Sequence, residues 1–411
     1  MSGLDPHADS AEHGLKDAVP AALKGPISAG ESQHAQQAKR TLGERFRRRG
    51  AGINPGNRFE PTNLHVLGEF VDEQRAEAIG EGADPDEPVR VPLTVYQDKT
   101  KTIINRVQQT SDVPMDWTVN PYRGCEHGCV YCFARPYHEY LGFSCGLDFE
   151  TKIVAKPEAP ELLKRELAHP KWRGEPIVMS AITDVYQPIE HKLRLTRACL
   201  EVMTECRQPV ATMTKSALVL RDIDLWAQLG ETNSGRVIVT LVTLDDVLAK
   251  ALEPRAASPQ RRLAVIRKLT EAGVPVAVNI APVIPGLTDT EIPALLEAVT
   301  QAGAKRVAWV MLRLPYQLKA VFLDWLGRSV HPSRAARIES LIRQMRGGKL
   351  YDAKSYGGQQ TRSRGQGVYA DQIKQSFDVF IQRYGLNRDV RPLSQKHFKP
   401  PRLDGQMGLF E

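Results

Sequence analysis

From Trp117 onward short β-rich runs alternate with stretches whose apolar residues recur at helical spacing. The runs are TVNPY near 118, PIVMSA near 177, PVATMT near 210, RVIVTLV near 237, VPVAVNIAP near 275 and RVAWVML near 307. From the second run on they lie about 30 residues apart, the spacing of parallel strands joined by crossover helices. Six such units are too few for a complete eight-unit barrel. The pattern therefore predicts an α/β fold, a partial (β/α)6 TIM-like barrel over 116–326. After 327 it changes to a helical run, SRAARIESLIRQMR, a Gly-rich basic and aromatic segment from Gly347 to Tyr369, and a second helix from Ala370 to Tyr384. Residues 327–398 read as a helical and basic appendage packed on the barrel, with a loose Pro-rich end. Residues 1–60 lack a sustained hydrophobic period and end in KRTLGERFRRRG, so they read as a disordered basic tail. Residues 61–115 form an N-terminal extension.

Composition supports a folded body. Of 411 residues 42% are apolar and 25% charged, enough for one large or two medium domains. The longest mostly apolar stretch, Val274 to Leu287, is interrupted by Pro275, Pro282 and Pro285 and falls short of the roughly 20 residues needed to span a bilayer. The first 30 residues carry Asp5, Asp9, Glu12 and Asp17 and no apolar core, so a secretory signal is not expected and the expected compartment is the cytoplasm. The net charge of +7 is uneven: residues 39–58 carry +6, residues 346–411 another +6, and the remainder −5. Basic ends suit contact with a polyanion; a solvated charge run is the alternative.

Three of the six cysteines fall within CEHGCVYC, Cys125 to Cys132. Their spacing lets Cys125, Cys129 and Cys132 converge from one loop, and soft thiolates favour iron–sulfur or zinc. The zinc alternative would recruit His127 or another side chain as fourth ligand, although zinc sites more often pair two separated CxxC motifs. Cys199 and Cys206 share an apolar helical face and read as core. Cys145, in GFSCGLDFE, is a candidate reactive thiol.

The CxxxCxxC spacing, with the aromatic Tyr131 before the last cysteine and a repeating β/α region after it, resembles the radical S-adenosylmethionine (SAM) superfamily. NPYRGCEHGCVYCFARPYHEYLG resembles the branch containing spore photoproduct lyase and DNA repair photolyase-like bacterial proteins. The resemblance runs from about Asn120 to Pro315. It implies a 4Fe-4S cluster on Cys125, Cys129 and Cys132, with the fourth iron left for S-adenosyl-L-methionine, whose reductive cleavage gives a 5′-deoxyadenosyl radical. It further implies cofactor contacts: Tyr131 near adenine, Thr183 and Asp184 as a polar pair beside the cofactor, Lys215 to the methionine carboxylate, Thr240 near the ribose, and Ala281 as a small residue under adenine. Arg255, in LEPRAASPQRR, is implied as a nearby supporting or substrate contact. One position departs from spore photoproduct lyase: Ala181 stands where that enzyme places a hydrogen-donating cysteine.

The expected activity is thus radical SAM chemistry on nucleic acid, in DNA repair or processing, as a lyase or a related enzyme. A peptide or small metabolite is the alternative substrate, and a non-enzymatic zinc or iron–sulfur module the second alternative. Lys349, Lys354, Arg362 and Arg364 interleave with Tyr351, Tyr356 and Tyr369, a composition suited to an exposed strand or flipped base. An electron donor such as flavodoxin or ferredoxin is expected. The tail 399–411 ends in Gln406-Met407-Gly408-Leu409-Phe410 and resembles the peptide by which bacterial repair proteins dock on the sliding clamp.

Overall fold

A computed structural model describes residues 49–59, 92–107, 116–352 and 363–403. The six β-rich runs form strands: β3 (Trp117–Val119), β6 (Ile177–Met179), β7 (Val210–Thr214), β8 (Gly235–Thr240), β9 (Val276–Val283) and β10 (Arg306–Met311). They pair in parallel in that order. Before them, β2 (Ile104–Arg106) lies antiparallel to β3 and forms one edge, and β10 forms the other. The two edges do not pair, so the sheet is an incompletely closed core. A smaller sheet, ordered β1 (Thr94–Gln97), β5 (Lys152–Ala155), β4 (Tyr122–Arg123), sits beside it.

Helices α1 (Ala159–Leu167), α2 (Leu195–Glu205), α3 (Ile223–Glu231), α5 (Pro259–Glu271) and α6 (Ile292–Gln301) cover the outer face, while α4 (Asp246–Leu252) packs at the C-terminal ends of the strands. The strands are rich in Val and Ile because both faces of a parallel sheet are covered. Ile177, Met179, Val210, Val237, Val239, Val278, Ile280, Val307 and Trp309 join the main core, which also holds Trp226 and Leu229 of α3. Alternation turns Thr240, Asn279 and Ala281 to the inner face. A second core, including Leu252, Ile284 and Leu314, lies at the C-terminal ends of the strands, where α7 (Leu318–Ser329) and α8 (Pro332–Gln344) close over it. Cys199 and Cys206 are buried in the main core as expected. No helix among the described residues is long and apolar enough to cross a membrane.

Two stretches near the ends of the chain, 49–59 and 384–403, depart from the sequence reading. Residues 49–59 lie against the cysteine loop, with Ala51 fully buried, where the pattern predicts tail. Local composition carries no trace of a contact made 100 residues away. At the other end, α9 (Val368–Arg383) enters the main core through Ala370, Ile373 and Phe377. Phe377 stacks on Trp309 at 4.5 Å and 4°. The segment after α9 then runs beneath the N-terminal ends of the strands instead of hanging loose. The Asn387 amide accepts from the Val307 N–H and donates to its carbonyl, both at 2.9 Å, occupying the free edge of β10 as a strand would. Further on, Ser394 N donates to Asn233 O at 2.9 Å, Arg236 donates to Arg391 O at 2.6 Å and Lys399 N donates to Cys206 O at 2.9 Å.

Candidate active site

The cysteine loop follows β4 and lies at the C-terminal ends of the parallel strands, where β/α-barrel proteins place their ligand sites. Its path needs residues without a side chain. Gly124 and Gly128 have φ of +77° and +69°, and a Cβ at Gly128 would meet Glu150 Oε2 at 2.7 Å. That approach exists because Glu150 is fully buried under the loop. Its carboxylate accepts from Gly50 N at 3.0 Å, Ala51 N at 2.8 Å and Arg135 Nη2 at 2.5 Å. Arg135, also fully buried, donates to Cys129 O at 2.8 Å, Cys145 O at 3.2 Å and Gly146 O at 2.7 Å. One guanidinium thus fastens both sides of the loop, an arrangement its five fixed donors suit. Burial of such a pair requires this full set of partners.

A second brace comes from the segment after β6. Thr183 Oγ1 donates to Gly124 O at 2.6 Å, and Gln187 Nε2 to the same carbonyl at 3.1 Å. Asp184 accepts from Thr214 Oγ1 at 2.9 Å and Lys215 N at 2.8 Å, and lies 3.2 Å from His127 Nδ1. Burial alone would raise the Asp184 pKa, but His127 and the Lys215 amide and ammonium hold it down to about 2, so it is an anion at neutral pH. Thr183 and Asp184 therefore grip the loop from below. His127, the alternative zinc ligand, is turned to Asp184. Arg255 Nη2 donates to Glu126 Oε2 at 2.9 Å, while Glu126 Oε1 accepts from Ile189 N at 2.6 Å.

The third brace carries Tyr131. Its hydroxyl donates to buried Glu253, which is also bound by buried Arg262; Arg262 donates on to Thr240 O at 3.0 Å and Ala257 O at 2.8 Å. The Lys215 ammonium lies 6.0 Å from the Tyr131 ring centroid. Burial would lower the Lys215 pKa, yet Cys129, Glu253 and Asp184 raise it overall, so it stays a cation among sulfur and carboxylate.

Cys125 and Cys129 are buried, Cys132 half-buried, and all three are free thiols. Burial pushes the Cys129 thiol up to about 12 and that of Cys125 well above the ordinary value, and the neighbouring sulfurs add to both shifts. Grouped thiols that repel one another's charge suit a cationic group that displaces their protons. Among the described residues no three His, Cys, Asp or Glu side chains draw together tightly enough for a single ion. Two inner-face atoms also ask for a ligand. Thr240 Oγ1 and Asn279 Oδ1, cross-strand neighbours on β8 and β9, are buried without a hydrogen-bond partner among the described residues, a costly state unless something polar binds there. Ala281, two residues on, is half-buried. The donor set and inner face fit a thiolate-held cluster with a polar organic ligand beside it.

Cys145 is fully buried in the second core, and burial pushes its thiol up to about 12, so it stays protonated there. Sequence reasoning missed Glu126, Gln187, Glu150, Arg135, Glu253, Arg262 and Asn279. Glu253 and Arg262 lie in the same LEPRAASPQRR stretch as Arg255, and Glu150 ends the GFSCGLDFE string. Their signal was a charged residue inside an otherwise recognisable motif. Of the basic segment, 353–362 lies outside the described residues, as does the clamp-like string 406–410.

The radical SAM superfamily profile matches residues 119–299. An uncharacterized protein of Mycobacterium tuberculosis is 34% identical over 302 residues, covering 73% of this chain and 84% of its own length. One of Methanocaldococcus jannaschii is 33% identical over 175 residues, covering 43% and 63%. Among solved structures, spore photoproduct lyase complexed with dinucleoside spore photoproduct superposes with a TM-score of 0.51 at 14% identity, covering 78% of this chain and 94% of that one. At that identity the likeness speaks to the fold.

Proposed function

Because this chain belongs to the radical SAM superfamily, an assignment that implies a 4Fe-4S cluster and S-adenosylmethionine, we propose that Cys125, Cys129 and Cys132 hold the cluster and that the enzyme acts on nucleic acid. When bound, the cluster and its cosubstrate supply one-electron cleavage of a carbon–sulfur bond and hence hydrogen-abstracting radical chemistry. The residues of this chain position and shield. Lys215 offers a cation for the methionine carboxylate. Thr240 and Asn279 offer unsatisfied oxygens to the ribose hydroxyls, and Ala281 leaves room for the purine. The Arg135–Glu150 and Asp184–His127 contacts fix the loop, and Tyr131 with the second core keeps water away from it.

The observation that carries this reading is the orphaned Thr240 and Asn279 oxygens on the inner face of the sheet, below the loop that brings in Cys125, Cys129 and Cys132 at the C-terminal ends of the strands. The nucleic-acid part is supported by the shared fold with spore photoproduct lyase and by the basic ends. Alanine at position 181 and the burial of Cys145 argue for a reaction other than the literal repair of spore photoproduct. The tail Gln406, Met407, Leu409 and Phe410 is proposed to dock on a bacterial sliding clamp, which a peptide of residues 399–411 tests directly; a peptide and full-length protein that both fail to bind purified clamp would end that proposal.

Anaerobic reconstitution tests the chemistry. About four irons per chain, broad absorption near roughly 400 nm and release of 5′-deoxyadenosine on reduction are expected. Replacing any of Cys125, Cys129 or Cys132 with Ala should abolish release. Stoichiometric zinc without cleavage would overturn the assignment, and cleavage coupled only to a peptide or small molecule would overturn the nucleic-acid part alone.

A further inference from the structure

Beside the mouth of the barrel, five aromatic side chains are exposed where such rings are normally covered: Phe59 at 54%, Phe133 at 38%, Tyr137 at 51%, Tyr140 at 63% and Tyr316 at 58%. They come from three parts of the chain. Phe59 is the last described residue of the stretch 49–59; Phe133 follows Cys132 directly, and Tyr137 and Tyr140 lie on the short helix Arg135–Leu141. Tyr316 follows β10. Four of them, Phe59, Tyr137, Tyr140 and Tyr316, are nevertheless continuous. Tyr137 and Tyr140 have centroids 6.3 Å apart, and Tyr140 lies 4.8 Å from Phe59. The Arg58 guanidinium sits over Tyr316 at 3.9 Å, Phe59 at 4.6 Å and Tyr140 at 5.2 Å, while Arg313 sits over Phe133 at 4.7 Å.

The shelf is built rather than incidental. The buried Glu139 carboxylate lies 3.0 Å from Arg58 Nε, an ion pair that keeps the guanidinium close to the rings. Tyr316 keeps a left-handed backbone, φ +50°, a conformation that a ring-bearing residue adopts only at a cost. Of the other exposed large apolar residues, Val247, Val368, Val379 and Val390 lie on other segments, while Val95 stands next to Tyr96, whose ring lies 5.3 Å from Phe143. Aromatic faces interleaved with guanidinium planes match the two surfaces of a single nucleic-acid strand: base faces stack on rings, and phosphates meet cations.

We propose that Phe59, Tyr137, Tyr140 and Tyr316, held around Arg58, form a stacking shelf for unpaired nucleobases that leads a single strand, or the neighbours of a flipped base, to the barrel mouth. This rests on the reading of nucleic acid as the substrate class and adds where and how the strand is held. The shelf shares no residue with the basic segment between Lys349 and Tyr369.

The test uses the full-length chain and a fluorescein-labelled single-stranded oligothymidylate at about 50 mM salt, read by anisotropy. Tyr140→Ala and Tyr316→Ala should each weaken binding by about 5- to 100-fold, whereas Tyr140→Phe should keep most of it. On the unaltered protein, a strand carrying 5-iodouracil should photocross-link to peptides containing Tyr137, Tyr140 or Tyr316, so the result does not depend on the variants folding. Tight binding that the Ala substitutions leave unchanged, with cross-links elsewhere, would overturn the shelf while leaving the nucleic-acid reading intact. No binding by the unaltered protein would overturn both. Concentration-dependent self-association without nucleic acid that Tyr140→Ala removes would reassign the face to protein docking and also overturn the shelf.

Discussion

The two ends of the parallel sheet are closed by different physics. At the C-terminal end the cysteine loop is fastened by buried charge: Arg135 with Glu150, Asp184 with His127, Arg262 with Glu253. At the N-terminal end the strap after α9 is fastened mostly by backbone and amide hydrogen bonds, such as Asn387 on the edge of β10. Buried ion pairs bring geometric precision at a high desolvation cost, whereas neutral hydrogen bonds contribute about 0.5–1.5 kcal/mol net each. The end that must present thiols and a cation in fixed positions uses the costly kind. The end that only needs closing uses the cheap kind.

The comparison can be broken hardest at the top. Glu253→Ala leaves Arg262 charged and buried without its partner, and should cost about 3–5 kcal/mol, read as a fall in melting temperature together with lost iron loading. A variant that melts normally and loads fully would show that the upper network is dispensable. At the bottom, Asn387→Ala should cost about 1–3 kcal/mol, because the Val307 N–H and carbonyl lose their partners. Its release of 5′-deoxyadenosine per folded protein should match the unaltered enzyme, and a loss of turnover without a loss of stability would erase the division between the ends. A smaller effect is expected from acid. The Asp184 pKa lies at about 2 against an ordinary 3.8. A depressed carboxylate stabilises the fold above its unfolded value, and that contribution fades as pH falls from about 4 through about 2. Asp184→Asn should therefore flatten the fall in melting temperature across that window, and an unchanged acid limb would contradict the contacts assigned to it. Smallest of all, Lys374→Ala breaks an ion pair whose side chains are 63% and 61% exposed and should shift stability by less than about 0.5 kcal/mol.

What the sequence discloses follows the same division. The six strands could be read from runs such as RVIVTLV because a strand covered on both faces writes itself as consecutive apolar residues. The grouping of Cys125, Cys129 and Cys132 could be read because spacing within one loop is local. Thr183 and Asp184 were found as residues, but their grip on Gly124 and His127 from below the loop was not, because only the fold brings those partners together. Glu150 could not be found, because its carboxylate reaches back to Gly50 across 100 residues and no periodicity encodes so distant a partner. Asn387 escaped for a similar reason, since an amide that imitates a strand leaves no strand-like run.

The strap has a consequence for the order in which the molecule comes into being. Its contacts with Asn233 and Arg236 join residues 159 and 155 positions apart, among the most distant pairings along the chain. During synthesis from the N-terminus, strands β3 to β10 emerge before the segment that closes their lower ends, and pairings so remote carry a high loop-closure cost. The nascent sheet is thus complete in strands but open beneath, and its lower end is sealed only once Asn387 to Lys399 have left the ribosome.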